Sequence, residues 1–383
     1  MIDKKSETIV VLSTADMPLA ADPLNLNLRT WRAIAEAFER VHLLAVARDA
    51  RRTTSYAFGR LVVTTLPLST GPQRHLFFAL RALRLISRSG GDLQRARVFA
   101  ATDPLGAGLT AVVAARWFGG LAIVDLLGQL LNLPKEHGAL RRLMIAFVAR
   151  IVLRRADIVR VCAERFAEDI ARIGVPADRI VHIPSRVDLE EFASPTRPHS
   201  EFRARLGLPR DESIVAFAAA LNTSKGVEIF EEAVHLVSDP TALFAVAGDG
   251  PLRSRVEALA SRYRRVRYLG QLDRSRMRDF FCAADIVVQP SRDEGQPRTV
   301  LEAMSCCRPV IATDVGGIPE IVQHRRTGLL IPPNDALALA GAIDELLGDA
   351  EYRDTLGHAA RAFVCAHHSF DDGIARLQKL YGQ

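Results

Sequence analysis

The chain of 383 residues contains no run of 18 apolar residues, so nothing in it reads as a membrane-spanning helix. Aromatic residues make up only 6%. With no stacking motif among them, a nucleic-acid partner is not expected, although the chain is basic overall. The five cysteines (Cys162, Cys282, Cys306, Cys307, Cys365) are odd in number and lack ligand spacing. Reduced thiols in a cytoplasmic protein account for them most simply, and Cys306-Cys307 read as core filler at a helix end. The start, MIDKKSETIVVLS, has charges and then a strand, without the apolar core or cleavage site of a signal peptide. Internal repeats, low-complexity tracts and metal-ligand clusters are lacking too, so no metal site is expected. No glycine precedes Gly59. The loop DMPLAADPLNLN, after the first strand, therefore lacks the bare backbone that approaches a diphosphate closely. Acceptor contact or plain packing is the reading for that loop.

Apolar residues make up 49%, enough for real cores, and the length suits two domains of about 190 residues each. Apolar strands alternate with helical stretches throughout, which predicts an α/β fold with parallel sheets. Charge is divided unevenly. Residues 1–189 hold 27 Lys and Arg against 17 Asp and Glu, a balance of +10, and the remainder carries −4. A basic N-terminal half suggests an acidic partner surface.

Strands are predicted at Thr8–Ser13, Val41–Val46, Leu61–Leu66, Val98–Ala101 and Leu121–Val124, with a first helix over Leu28–Arg40. In residues 73–88, Arg74, Arg81, Arg84 and Arg88 recur at helical spacing, which predicts an Arg face opposite Leu76, Phe77, Leu80 and Leu83. Ala139–Arg155 carries Arg at both ends of an apolar middle. A basic amphipathic helix can lie on an anionic bilayer, each Arg adding about 1 kcal/mol. An ordinary domain helix with a solvated Arg face fits the same residues. Peripheral attachment to the inner face of a membrane is the expectation that two such helices raise. Asp103, in ATDPLG, reads as a helix cap before Pro104.

The richest stretch is Pro290–Glu320, which alternates strand, loop and helix twice. Pro297 stands at a helix start. The free N–H groups and positive dipole of such a helix favour a phosphate. Glu294 lies in the loop before that helix and Glu302 about two turns inside it. Carboxylates so placed can hold hydroxyls on either side of a diphosphate, although each could also be an ordinary solvated charge. Lys225-Gly226 open a helix after the loop AALNTS, where Lys225 suits a phosphate or, more plainly, a loop cap.

Glu294-Gly295, a proline, Leu301-Glu302-Ala303-Met304, Pro309-Val310-Ile311-Ala312-Thr313 and Gly316-Gly317-Ile318-Pro319-Glu320 follow one another without gaps. This run resembles the donor-site signature of retaining GT-B glycosyltransferases of family 4. The resemblance implies two Rossmann-like doubly wound parallel-sheet domains facing a cleft. Residues 1–190 would form the acceptor-side domain, completed by a C-terminal helix over 366–383, and 191–365 would bind a nucleotide sugar. It implies hexosyl transfer, without metal, from a nucleotide-diphosphate sugar to a glycan or lipid-linked acceptor, in polysaccharide or glycolipid assembly. The nucleotide sugar is a co-substrate, and no resident cofactor is expected.

By the same resemblance, Glu294 orients sugar hydroxyls and Glu302 takes the ribose hydroxyls. Lys225 and the backbone of Gly295, Gln296, Pro297, Arg298 and Thr299 meet the diphosphate. Gly316-Gly317 complete the donor loop, and the turn at Leu272 faces the base. Two positions depart from the family pattern. Leu127 stands where a His is usual, leaving Asp125 and Gln129 as polar groups at that strand end, with Asp125 the candidate third catalytic residue. Ala220 stands where an Arg is usual, and Arg298 is near enough in sequence to compensate. These departures keep open a rival reading as a non-catalytic GT-B subunit binding a partner or a nucleotide. Ile183-Pro184-Ser185-Arg186-Val187-Asp188 resembles the segment leading between the domains, followed by the Pro- and Ser-rich connection 193–200.

Overall fold

The structure, a computed structural model, describes residues 7–16, 26–47, 52–68, 74–89, 91–128, 138–193 and 199–383. Gln129, most of the 16–27 loop and residues 194–198 of the connection lie outside the described residues. Two compact units are present, Met1–Ile183 with Asp371–Gln383, and Pro184–Phe370. The division thus falls before residue 190 and after residue 365. The reason is local. Val187 donates its N–H to the His368 carbonyl, Ser185 N–H bonds the Gln296 side chain, and Val187 and Phe192 are buried in the core of the second unit.

In the first unit the elements run β1 (Thr8–Asp16), α1 (Leu26–Ala35), β2 (Arg40–Ala47), β3 (Thr54–Phe58), β4 (Leu61–Pro67), α2 (Arg74–Arg88), β5 (Val98–Ala101), α3 (Gly106–Phe118), β6 (Leu121–Leu126), α4 (Ala139–Arg155), β7 (Ile158–Val161), α5 (Glu164–Arg172) and β8 (Ile180–His182). They build an eight-stranded sheet in the order β3-β4-β2-β1-β5-β6-β7-β8. Its pairings are parallel except β3 with β4. The first helix ends five residues before the predicted Arg40, because Arg40 already opens β2. The β3 hairpin escaped sequence reading, being short and exposed on both faces.

Right-handed crossovers place α2, α3 and α4 side by side on one face of this sheet, with α3 touching both neighbours. The α2 expectation needs correcting. Its core side is Phe78, Ala79, Ala82 and Ile86, while Leu76, Phe77 and Leu80 are exposed beside Arg81 and Arg84. At 100° per residue Phe77 falls between Arg84 and Arg88, so the Arg arc and this apolar arc overlap. The arc bearing two alanines wins the core because it permits close packing on α3.

The second unit holds α6 (His199–Leu206), β9 (Ile214–Ala218), α7 (Val227–Leu236), β10 (Leu243–Ala247), α8 (Arg253–Arg262), β11 (Val266–Tyr268), α9 (Arg274–Ala283), β12 (Ile286–Gln289), α10 (Arg298–Ser305), β13 (Val310–Thr313), β14 (Gly328–Ile331), α11 (Ala336–Gly348) and α12 (Ala350–His367). The last helix, α13 (Phe370–Tyr381), carries the chain back into the first unit, where Tyr381 stacks on Trp31. The sheet order is β11-β10-β9-β12-β13-β14, every pairing parallel. Strands β9, β10, β12 and β13 are buried along their whole length, as a sheet covered by helices on both faces requires. The chain leaves β9 toward β10 on one side and returns at β12 on the other. The carboxyl ends of β9 and β12 therefore flank a topological switch point, where open α/β sheets bind ligands.

Candidate active site

The two loops at that switch point carry the predicted donor residues. Lys225 follows β9, and Asn222 caps the short turn that holds it by accepting from the Lys225 N–H. Glu294 follows β12 and is buried. Its Oε1 accepts from Lys225 Nζ at 2.7 Å, Ser291 Oγ at 2.9 Å and Gln289 Nε2 at 3.2 Å. Gln289 Oε1 in turn accepts from Thr299 Oγ1 at 3.1 Å, so one hydrogen-bonded chain ties the first turn of α10 to Lys225. These donors all address one carboxylate oxygen, and among the described residues Oε2 accepts no hydrogen bond. Gln289 and Ser291 were not singled out from sequence, although both stand in the VVQPSRDEG run beside Glu294.

The backbone under this cluster is equally constrained. Gly316 has φ +54°, and a β-carbon there would lie 1.7 Å from the Glu294 carbonyl oxygen. Gly317 N–H donates to the Gly295 carbonyl at 2.9 Å. The glycine pair thus packs directly under the Glu294 loop, an approach no side chain permits. Burial pushes the neighbouring Asp293 carboxyl up to about 6, and the Glu294 charge adds to this while Lys225 opposes it.

Helix α10 starts at Arg298, with Pro297 as its cap at φ −68°. Pro297 lacks an N–H, so the donors there come from Arg298, Thr299 and Val300. Arg298 itself is exposed. The Gln296 side chain turns away from any donor role. Its Oε1 accepts from Ser185 N–H at 2.8 Å and its Nε2 donates to Glu320 at 3.3 Å. Leu272 is buried in the core of the unit, so its side chain packs, and only its backbone is left for a ligand.

Glu302 lies on the second turn of α10 and is almost fully buried. Burial pushes its carboxyl up to about 7 against the pull of Arg274 and Arg298, and Glu191 adds to the rise. Arg274 Nη1 stands 3.9 Å away, while its Nε bonds Glu191 at 2.5 Å and its guanidinium lies over the Phe192 ring. Arg274 is a site residue that sequence reading missed, since nothing in the 270s marks it. The two expected glutamates are therefore held differently, Glu294 by three donors and Glu302 by burial beside one arginine.

Asp125 requires a correction. It pairs in register with Arg160 across β6 and β7, and both of its oxygens accept from that guanidinium, at 2.7 and 2.6 Å. Both side chains are buried. Burial works against the Arg160 charge, but Asp125 and Tyr381 more than offset it and raise its pKa. A carboxylate so committed holds two strands together, with both oxygens turned to Arg160. Leu127 is exposed beyond the same strand end. Asp103 accepts from Leu105 N–H at 2.9 Å and Thr14 Oγ1 at 2.6 Å. It closes the turn ahead of α3 rather than capping the helix. His368 is buried and bonds the Ser185 carbonyl, a packing role. Ala220 is exposed in the loop leading to Lys225. Among the described residues no group of three or more His, Cys, Asp and Glu side chains could hold a metal ion.

Two parallel α/β units with this switch-point loop define the GT-B architecture, and solved structures of that class superpose on the whole chain. Sucrose-phosphate synthase from Thermosynechococcus elongatus matches with a TM-score of 0.85 and 26% identity over 98% of both chains. HepE from Anabaena in complex with UDP-glucose gives a TM-score of 0.76 at 18% identity, covering 97% of this chain and 98% of that one. Residues 199–363 match the family described as glycosyl transferases group 1, and residues 27–186 match the glycosyl transferase 4-like domain. The chain belongs to the group 1, or family 4, glycosyltransferases. A curated relative, the D-inositol 3-phosphate glycosyltransferase of Xylanimonas cellulosilytica, is 31% identical over 243 residues. That match spans 61% of this chain and 58% of the relative, so the chain covers less than two thirds of its length.

Proposed function

We propose that the second unit binds a nucleotide-diphosphate sugar and that the protein transfers the hexose, with retained configuration and without a metal, to a glycan or lipid-linked acceptor in polysaccharide or glycolipid assembly. The observation that carries this reading is the Lys225–Glu294 pair, anchored by Gln289 and Ser291 at the switch point beside the start of α10. Glu294 Oε2 accepts hydroxyls of the sugar, and Glu302 accepts those of the ribose. Lys225 and the first N–H groups of α10 stabilise the departing diphosphate, whose charge grows in the transition state. The acceptor oxygen bonds to the anomeric carbon as the bond to the diphosphate breaks, and a donor phosphate oxygen takes the acceptor proton. HepE, a fold neighbour, is described in complex with UDP-glucose, which supports a nucleotide sugar as the ligand class.

The replacements Leu127 and Ala220 favour a second reading, in which the chain binds a nucleotide or partner without transfer. Thermal-shift titration with UDP-, GDP- and ADP-sugars, followed by a donor-hydrolysis assay, separates the two. Stabilisation with slow hydrolysis is expected. Stabilisation without turnover in any acceptor mixture selects the second reading, and no stabilisation by any donor rejects both.

A further inference from the structure

We infer that the outer face of the α2–α3–α4 layer in the first unit docks on an anionic lipid bilayer, with α4 as the inserting element. Four observations converge on it. The three helices together hold ten arginines and no aspartate or glutamate. Their exposed sides are apolar where solvated helices are polar. On α4, Leu140, Leu143, Met144 and Phe147 are each at least 60% exposed. Next to it on α3, Trp117 is 68% exposed. On α2, Leu76, Phe77 and Leu80 stand out beside Arg81 and Arg84. Finally, a groove of about 350 Å³ runs between α3 and α4. Leu109, Val113, Trp117 and Ile151 line it, together with Arg116 and Arg155.

This combination selects one occupant. Isolated exposed leucines need no explanation, but a contiguous apolar face does. A second copy would bring ten like charges against ten, which opposes self-association. An extended nucleic acid would meet leucine and methionine where it needs polar or stacking groups. A bilayer offers acyl chains for the apolar strip and phosphates for the arginines around it, and tryptophan favours the boundary between them. The groove is sized for part of one acyl chain, and two arginines are among the residues that line it. Since no helix among the described residues is long and apolar enough to cross a membrane, the attachment is interfacial. It does not depend on the donor-site reading.

The chain has two tryptophans, and Trp31 is buried, so Trp117 reports directly on this face. The full chain is mixed with vesicles of phosphatidylcholine alone or of phosphatidylcholine with phosphatidylglycerol, and sedimentation and emission are followed. About tenfold more protein on the anionic vesicles is expected, lost on raising the salt, with a blue shift of Trp117 emission. Leu143→Glu with Phe147→Glu should abolish both effects and leave the melting temperature and donor binding unchanged. Absence of binding, equal binding to both vesicle types, or full binding by the double variant would overturn the proposal. So would a vesicle-free dimer that the same two substitutions dissolve, because that assigns the face to a second copy. Unaltered vesicle binding by a Glu294→Ala variant separates this result from the fate of the donor site.

Discussion

Each unit places a carboxylate and a cation near the carboxyl ends of its strands, and the two pairs are built for different work. Asp125 and Arg160 form a closed fork: two parallel hydrogen bonds, both side chains buried, both oxygens occupied. Lys225 and Glu294 form a point contact on one oxygen, with the lysine side chain 25% exposed and further donors stacked on the same atom. The first arrangement is complete within the protein. The second leaves one carboxylate oxygen without a hydrogen bond and a part-exposed ammonium for something else to use. Position explains the contrast. Lys225 and Glu294 straddle the switch point between β9 and β12, whereas Asp125 and Arg160 sit on β6 and β7, where the chain runs on in one direction. A buried ion pair can therefore mark a seam or a site, and a carboxylate oxygen left without any hydrogen bond distinguishes them.

The comparison is sharpest under mutation. Asp125→Ala strands a buried guanidinium and should cost about 3–5 kcal/mol of stability, a fall of about 10 °C in melting temperature, with transfer per folded molecule unchanged. A double change, Asp125→Leu with Arg160→Met, should recover most of the loss. Reduced activity at unaltered melting temperature would break the contrast. Glu294→Ala and Lys225→Ala should do the reverse, lowering kcat/KM by about 10²–10³-fold with a smaller loss of stability, because Lys225 can extend into water and Glu294 keeps Ser291 and Gln289 as donors.

Gly316→Ala tests the frame beneath the open pair. A β-carbon at φ +54° and 1.7 Å from the Glu294 carbonyl forces that loop to move, so activity should fall about tenfold or more, with about 1–3 kcal/mol of stability lost. Thermal melts and donor titrations of the same sample separate the two effects.

Over the range pH 6 to 8 Glu302 gives the smallest effect, with a sign that can be worked out. Its carboxyl sits at about 7 in the folded protein, above the value of about 4.3 for an unfolded chain. Between these values the folded state holds the extra proton. The stabilisation is complete below the unfolded value and is lost as pH rises through 7, at about 1.4 kcal/mol per pH unit. Donor binding should run oppositely, tightening from pH 6 to 8 as the carboxylate proposed to accept ribose hydroxyls forms. Glu302→Gln should flatten both profiles, as read from melts and donor titrations across that range.

Much of this molecule is legible in its sequence, for reasons that vary by region. The second unit was readable because its motif packs chemistry and backbone constraint into one short run, and Glu294, Glu302, Gly316 and Gly317 are contiguous enough to be seen together. The side-chain role of Gln296 was not legible there, since its partner Ser185 is 111 positions away. Arg274 was missed because its partner Glu191 is likewise remote in the sequence. In the first unit, periodicity found α2 but reversed which apolar arc faces the core, because two arcs competed and neighbour packing chose between them.

The sequence by itself determined the alternation of buried strands and helices, the turn residues that only glycine and proline satisfy, and the excess of arginine in the first unit. Those follow from local sterics and from burying apolar side chains. Tertiary structure alone decided which carboxylates are spent and which are available. Strand order sets who sits beside whom: Arg160, 35 residues away, engages both oxygens of Asp125, whereas Lys225, 69 residues away, meets Glu294 on one oxygen only.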